Sequence, residues 1–402
     1  MLVKGQRETV NGERLSAIGQ QLSGAIWIHA ASVGEFEQAR PIIEKLKMDN
    51  GKWKIVVTFF SPSGYEARKN CKEVDGVYYL PFATRRNARK WLDGLQPKMA
   101  IFVKYEFWPA YLRELKKRNI PTYSICAIFR PKQVFFRWWG KAYLNVLKCF
   151  TNIFVQDEAS RRLLAEHGVH NASVAGDTRF DRMKQVMEEQ SAVSPQLAER
   201  LKPLELFTQG CERVIVAGST WPKDEELLEK YIADCRLQIA DCGTKLILVP
   251  HELTEEHLHY IFQLFKGRFV RYSEVSGQMS DVSRQYILQQ AQVLVMDTMG
   301  LLSRTYRFGH VAYIGGGFGV GIHNTIEAAV YGLPVMFGPN YDNFREAHGL
   351  IEHGAARSVK NYQELEAAMN TALERHEEIG AKAAEYVEGE LGATEKIYKE
   401  IF

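Results

Sequence analysis

The sequence predicts an α/β protein built from two doubly wound, Rossmann-like domains facing each other across a cleft. Three observations carry this expectation. Short apolar runs alternate with helical stretches from end to end, the pattern of parallel sheets covered on both faces. The chain has 402 residues, more than one ordinary hydrophobic core organises. Between two sets of strand candidates, Met183 to Arg213 is polar and helical, carries Pro195 and Pro203, and reads as a linker. The expected division is a first domain over 1–185, a linker over 186–212, a second domain over 213–384, and a helix over 385–402 packing back on the first.

Composition narrows the function classes. Hydrophobic residues make up 46% of the chain and charged ones 25%, the balance of a globular protein. A net charge of +3 argues against nucleic-acid binding. No stretch approaches the roughly 20 apolar residues of a membrane span, and Met1 to Ser23 is too polar for a signal peptide. The six cysteines (71, 126, 149, 211, 235, 242) form no CxxC pair and read as reduced thiols.

In chain order, Ile26–His29 is the first strand and feeds Ala30-Ala31-Ser32-Val33-Gly34-Glu35-Phe36, then a helix to about Lys47. Ser32 and Glu35 have capping-box spacing. That spacing favours a capping role; the alternative is that Glu35 faces the cleft as a general base, with Gly34 leaving room for a substrate. The helix N-terminus would hold Glu35 ionised and weaken its basicity. The sequence alone does not decide. Ile55–Phe59 ends in Ser61-Pro62-Ser63, a helix cap or a sugar contact. Val77–Leu80 follows, and Ala100–Val103 leads to Glu106, another acid at a strand end. After Thr122–Cys126, the run from Ile128 to Phe150 interleaves Phe135, Phe136, Trp138, Trp139 and Tyr143 with Arg130, Lys132, Arg137, Lys141 and Lys148. That is either a core helix with snorkelling cations or a face for a membrane surface, to which Arg85 and Arg86 would add. Asn152–Val155 and Ser173–Ala175 complete the first set, and Arg179 beyond them serves an anion or pairs with an Asp.

The second set opens with Val214–Ala217 and Gly218-Ser219-Thr220, a turn able to cradle phosphate through amides and hydroxyls. Leu246–Val249 ends in Pro250-His251-Glu252, which begins like the zinc motif HExxH but has Glu255 where the second His belongs, so no metal is expected. Phe269–Tyr272 and Val293–Met296 follow. Val311–Ile314 then runs into a loop with glycines at 315, 316, 317, 319 and 321, a helix from about Asn324 to Tyr331, and the strand Val335–Phe337. Unpaired amides in this loop and at the helix start make an anion site as readily as a tight connection. Glu327, one turn into the helix, suits a pair of ribose hydroxyls. Tyr362 to Phe402 is expected to be helical throughout.

Taken together, AASVGEF (30–36), EFWP (106–109), GDTRFD (176–181), AGST (217–220), Met299-Gly300 and NTIE (324–327) resemble the Kdo transferases, in order and along nearly the full chain. Kdo is 3-deoxy-D-manno-octulosonic acid. The resemblance implies a glycosyltransferase-B fold, CMP-Kdo as donor and a lipid A precursor as acceptor. It also implies an inverting transfer without metal or other cofactor at the cytoplasmic face of the inner membrane. It makes Glu35 the general base and gives Glu106 and Arg179 the task of stabilising the transition state. Pro250, His251, Met299, Gly300, Leu301, Asn324, Thr325, Ile326 and Glu327 match the stretches that hold CMP, and loop chemistry adds Ser219, Thr220, Gly317 and Gly319. The acceptor and membrane side is expected at Ser32, Gly34, Arg85, Arg86, Arg130, Phe135, Phe136, Arg137, Trp138 and Trp139. Many members have Arg at His251, Glu at Leu301 and Lys at Arg179, and begin with an apolar anchor helix that this sequence does not show: either the helix lies outside the sequence or the enzyme docks peripherally through the aromatic and basic patch. Two rivals share parts of the pattern: another sugar-nucleotide enzyme of this fold, such as a UDP-sugar 2-epimerase, and a non-catalytic nucleotide-sugar or lipid-surface binding module.

Overall fold

The computed structural model describes residues 21–49, 51–189, 194–238, 243–277 and 279–402. Residues 1–20, most of the stretch read for a signal peptide, lie outside them, as do 190–193 of the expected linker and Cys242. The chain divides into two compact units, Met1–Arg182 with Glu390–Phe402, and Met183–Gly389.

The first unit alternates strictly: β1 (Ile26–Ala30), α1 (Val33–Met48), β2 (Ile55–Phe59), α2 (Pro62–Arg68), β3 (Gly76–Tyr79), α3 (Arg85–Leu95), β4 (Met99–Val103), α4 (Pro109–Lys117), β5 (Thr122–Ala127), α5 (Lys141–Leu147), β6 (Asn152–Val155), α6 (Glu158–Glu166) and β7 (Ala172–Val174). Helix α7 (Thr178–Glu188) carries the chain onward. The strands form one parallel sheet in the order β3-β2-β1-β4-β5-β6-β7. Side chains alternate between its faces. Ile26, Ile28 and Ala30 enter one apolar layer while Trp27 enters the other. Trp27 packs there against Trp91, Phe102 and Tyr111, with centroids 5.8, 5.2 and 5.5 Å away. Strand order reverses between β1 and β4, so the loops leaving their C-terminal ends diverge and open a crevice.

The second unit begins with α8 (Pro195–Thr208), which occupies the expected linker and buries Leu201, Leu204 and Phe207. There follow β8 (Arg213–Thr220), α9 (Pro222–Gln238), β9 (Thr244–Pro250), α10 (Glu255–Leu264), β10 (Phe269–Arg271), α11 (Tyr272–Val275), α12 (Asp281–Gln290) and β11 (Val293–Val295). Then come α13 (Leu302–Thr305), β12 (Val311–Ile314), α14 (Ile326–Ala329), β13 (Val335–Phe337), α15 (Arg345–Glu352), β14 (Ala356–Ser358), α16 (Tyr362–Glu374) and α17 (His376–Glu390). Its parallel sheet runs β10-β11-β9-β8-β12-β13-β14, with the reversal between β8 and β12. Two expectations are corrected here. β14 was not foreseen, and the helix expected over 324–331 is the single turn of α14. The last helix, α18 (Ala393–Ile401), packs in the first unit: Ile397 is buried in the layer holding Ile26 and Ile28.

Candidate active site

In the first unit's crevice, α1 starts directly after β1 because Ser32 caps it. Ser32 Oγ accepts from the Glu35 amide at 3.3 Å, and Glu35 Oε2 accepts from the Ala31 amide at 2.6 Å. The return bond thus lands one residue before the capping-box position. Capping does not exhaust this carboxyl. Burial first, then the charge of Glu106, push its pKa up to about 7 against the pull of the Ala31 amide and Lys104. The expectation that the helix N-terminus would weaken Glu35 as a base is therefore overturned: desolvation outweighs the single amide. A carboxylate titrating near neutrality is a stronger base than an ordinary one and still half-ionised. Gly34 beside it is exposed, and a Cβ there would come no closer than 3.9 Å to any neighbour.

Glu106 follows β4, the sheet neighbour of β1. Its Oε2 accepts from Trp108 Nε1 at 2.6 Å and lies 2.9 Å from His29 Nε2. His29 is fully buried, and its Nδ1 lies 3.0 and 2.9 Å from Thr58 O and Oγ1. Sequence reading missed His29, whose partners come from other strands. It also missed Lys104, whose charge acts on Glu35. Lys104 holds φ +54°, a left-handed conformation that a non-glycine residue keeps when its surroundings impose it. Arg179 is not free to clasp a ligand with its whole fork. Its Nε and Nη2 donate to Asp177 Oδ2 at 2.9 and 2.7 Å. Burial would raise the Asp177 pKa, but Arg179 and Lys104 hold it below the usual carboxylate range.

In the second unit, the ends of β8, β9 and β12 gather Ser219, Thr220, Pro250, His251, Gly317 and Gly319. Ser219 holds φ +54°. The Thr220 hydroxyl donates to buried Glu225 at 2.9 Å. His251 stacks between Trp221 and His323, with centroids 4.9 and 4.2 Å away. Burial, then His251, lower the His323 pKa to about 4, which keeps its Nε2 an acceptor for Trp221 Nε1 at 3.3 Å. The glycine loop is less bare than expected. The Gly315 amide donates to Gly218 O, those of Gly319 and Gly321 to Gly316 O, and that of Gly316 to Asp224 Oδ2 at 2.9 Å. A Cβ on Gly315 would meet Ser219 O at 2.2 Å, and one on Gly317 would meet Gly338 Cα at 2.6 Å. Close backbone packing thus explains these two glycines without a ligand. What the loop does wall is a cavity of about 350 Å³, lined by Trp221, Lys223, Asp224, Gly316, Phe318 and Gly319.

The NTIE run turns inward. Asn324 Nδ2 donates to Glu327 Oε1 at 3.1 Å, Asn324 Oδ1 accepts from the Ile326 amide, and the buried Thr325 hydroxyl has no hydrogen-bond partner. Its helix is one turn long, so the macrodipole invoked for an anion is small. Met299 and Gly300 are exposed, whereas Leu301 is buried.

The aromatic and basic run is divided. Phe135 and Phe136 sit in a 3₁₀ turn, half-buried against the core at Phe129, which corrects their assignment to an outward face. Trp138 and Trp139 are 87% and 52% exposed, and Arg137 is exposed beside them. Arg130 reaches Tyr105 Oη at 3.3 Å. Arg85 and Arg86 open α3 on the surface. Arg85, Arg89, Arg113 and Lys117 line a groove of about 450 Å³ between α3 and α4. No helix among the described residues is long and apolar enough to cross a membrane.

Comparison with known proteins agrees with this arrangement. Residues 9–182 match the family model described as 3-deoxy-D-manno-octulosonic-acid transferase (kdotransferase). A protein of that name from Rickettsia felis is 26% identical over 388 residues, 95% of this chain and 78% of the relative. One from Aquifex aeolicus is 24% identical over 360 residues, 89% of this chain and 88% of the relative. Among solved structures, a UDP-GlcNAc 2-epimerase from Neisseria meningitidis superposes with a TM-score of 0.66 at 16% identity, covering 93% of this chain and 98% of its own. That likeness speaks for the fold alone, two Rossmann-like domains of the glycosyltransferase-B type. Through the match over residues 9–182 and its relatives along nearly the whole length, this chain is similar to the Kdo transferases, which are glycosyltransferases.

Proposed function

We propose that this protein transfers Kdo from CMP-Kdo to a lipid A precursor, lipid IV-A, with inversion at the anomeric carbon and without a metal. The observation that carries the reading is Glu35, a half-buried carboxyl at a strand-to-helix turn with its pKa pushed up to about 7. It takes the proton of the acceptor hydroxyl, whose oxygen attacks the anomeric carbon as the bond to the CMP phosphate breaks. Glu106 and Lys104 set the field around it, and Arg179, paired with Asp177, stabilises the transition state. The second unit holds the donor. Thr325 offers a buried hydroxyl in want of a partner, and Asn324 and Glu327 form a linked polar pair suited to ribose. On the acceptor side, the cations around Arg85 suit phosphate, and Trp138 and Trp139 suit a bilayer interface. The enzyme therefore works peripherally at the cytoplasmic face of the inner membrane.

The test is incubation of the full chain with CMP-Kdo and lipid IV-A, read by mass spectrometry of the lipid. Addition of one or more Kdo masses is expected, and the spectrum counts them. Folded protein that transfers nothing, or that interconverts UDP-GlcNAc instead, overturns the reading.

A further inference from the structure

The Glu106 carboxylate is held by a side chain with no part in the reaction as proposed. His29 lies in β1, with Thr58 opposite it on β2 and Phe102 opposite it on β4. It is fully buried on the same face of the sheet as Trp27, so it replaces an apolar residue in an apolar layer. A buried imidazole is tolerated there when both ring nitrogens are satisfied. Its surroundings decide which nitrogen carries the proton. Trp27 Nε1 donates to Thr58 Oγ1 at 2.8 Å, and His29 Nδ1 lies 2.9 Å from that hydroxyl, which can donate to it, and 3.0 Å from Thr58 O, which can only accept. The Thr58 hydroxyl can turn donor; a carboxylate cannot. Nε2, 2.9 Å from Glu106 Oε2, must therefore be N–H. Trp108 Nε1 gives its proton to the same oxygen at 2.6 Å, and its 3.1 Å approach to His29 Nε2 follows because both groups converge on that atom.

We infer that His29 is a positioning residue of the transfer reaction: its Nε2–H, backed by Thr58 and Trp27, fixes the Glu106 carboxylate beside Glu35. The inference rests on the proposed reading of Glu35 as the base. It has a physical consequence. The charges acting on Glu35 are Glu106 and Lys104, both from the turn after β4, and Glu106 acts in the raising direction. A Glu106 released from His29 swings toward solvent, and Glu35 then becomes a weaker base that loses its proton at lower pH.

Two near-isosteric variants isolate the contact. In His29→Asn the amide overlies Nδ1 and keeps Thr58 but cannot reach Glu106; in His29→Gln it overlies Nε2 and can. With CMP-Kdo and lipid IV-A as substrates, His29→Asn is expected to lower kcat about tenfold or more. The midpoint of its rising pH limb should move down by about half a unit, with KM for both substrates within about twofold. His29→Gln should restore most of the rate and return the midpoint. A stationary or rising midpoint in folded His29→Asn, or a Gln variant no better than Asn, overturns the inference. If Asn fails to fold, Gln is compared with His29→Leu, which fills the same space and has no donor for Glu106. A midpoint lowered in His29→Leu and kept in Gln supports the inference, and any other pattern overturns it. Glu35→Gln serves as reference. If it transfers at the wild-type rate, the reading of Glu35 falls and this inference with it. If it is inactive while the Asn midpoint stays put, only the inference falls.

Discussion

The two units place an acid at the same position and use it differently. Glu35 is the third residue of α1, the helix leaving the central strand β1; Asp224 is the third residue of α9, the helix leaving the central strand β8. Both reach back past the helix start to a backbone amide, Ala31 for one and Trp221 for the other. Asp224 also accepts from the Gly316 amide at 2.9 Å and from Tyr313 Oη at 2.8 Å, and it is 1% exposed. Three donors tie it into the fold. Glu35 accepts from the Ala31 amide and has a like charge for a neighbour and exposed Gly34 beside it. An acid in the first turn of a helix is therefore not a functional signal in itself. What separates a strut from a base is how many donors claim its oxygens.

The largest expected effect is at Glu35. Glu35→Gln should lower transfer by about 10²–10⁴-fold with little change in melting temperature, since Gln still accepts from the Ala31 amide; a variant that unfolds instead would make Glu35 a strut like Asp224. Next, Asp224→Ala leaves three donors without their acceptor and should cost about 2–4 kcal/mol in urea unfolding; a cost near zero would erase the contrast. The third effect is in pH. The Glu35 pKa rises from 4.5 to about 7 on folding, so between these values the folded state binds more protons than the unfolded one. Stability should fall with rising pH across that window in wild type relative to Glu35→Gln, fullest below 4.5 and lost through 7. Parallel pH curves would show that the carboxyl is not displaced. The smallest effect on the fold is at Gly34, where a Cβ meets nothing closer than 3.9 Å. Gly34→Ala should change stability by less than about 1 kcal/mol while raising KM for the lipid acceptor; an unchanged KM means the acceptor does not pass over Glu35 from that side.

Much of this was legible in the sequence because parallel strands are buried on both faces and must be written as apolar runs. β14, Ala-Arg-Ser at a sheet edge and half-exposed, has no such run and was invisible. Glu35 and Glu106 could be picked out as acids at strand ends, a local property. His29 could not, because its partners Thr58 and Glu106 lie 29 and 77 residues away and meet it only through strand order. The glycine loop misled for a related reason. Gly315 and Gly317 look like room for a ligand, but the room is taken by the backbones of Ser219 and Gly338. Helix length over 324–331 was also misjudged, since the turn signals at Gly332 and Pro334 mark an end and say nothing about how late the helix begins.

The return of α18 to the first unit has a consequence for biosynthesis. Asp181 takes the amides of Gly392 and Thr394 on its two carboxylate oxygens, and Ile397 fills the layer beneath β1. The unit whose strands emerge first from the ribosome thus lacks a piece of its core until all of 183–389 has been translated. For that interval the nascent chain carries an uncovered apolar strip beside α1, a natural site for chaperone capture, and the unit made first is the one finished last.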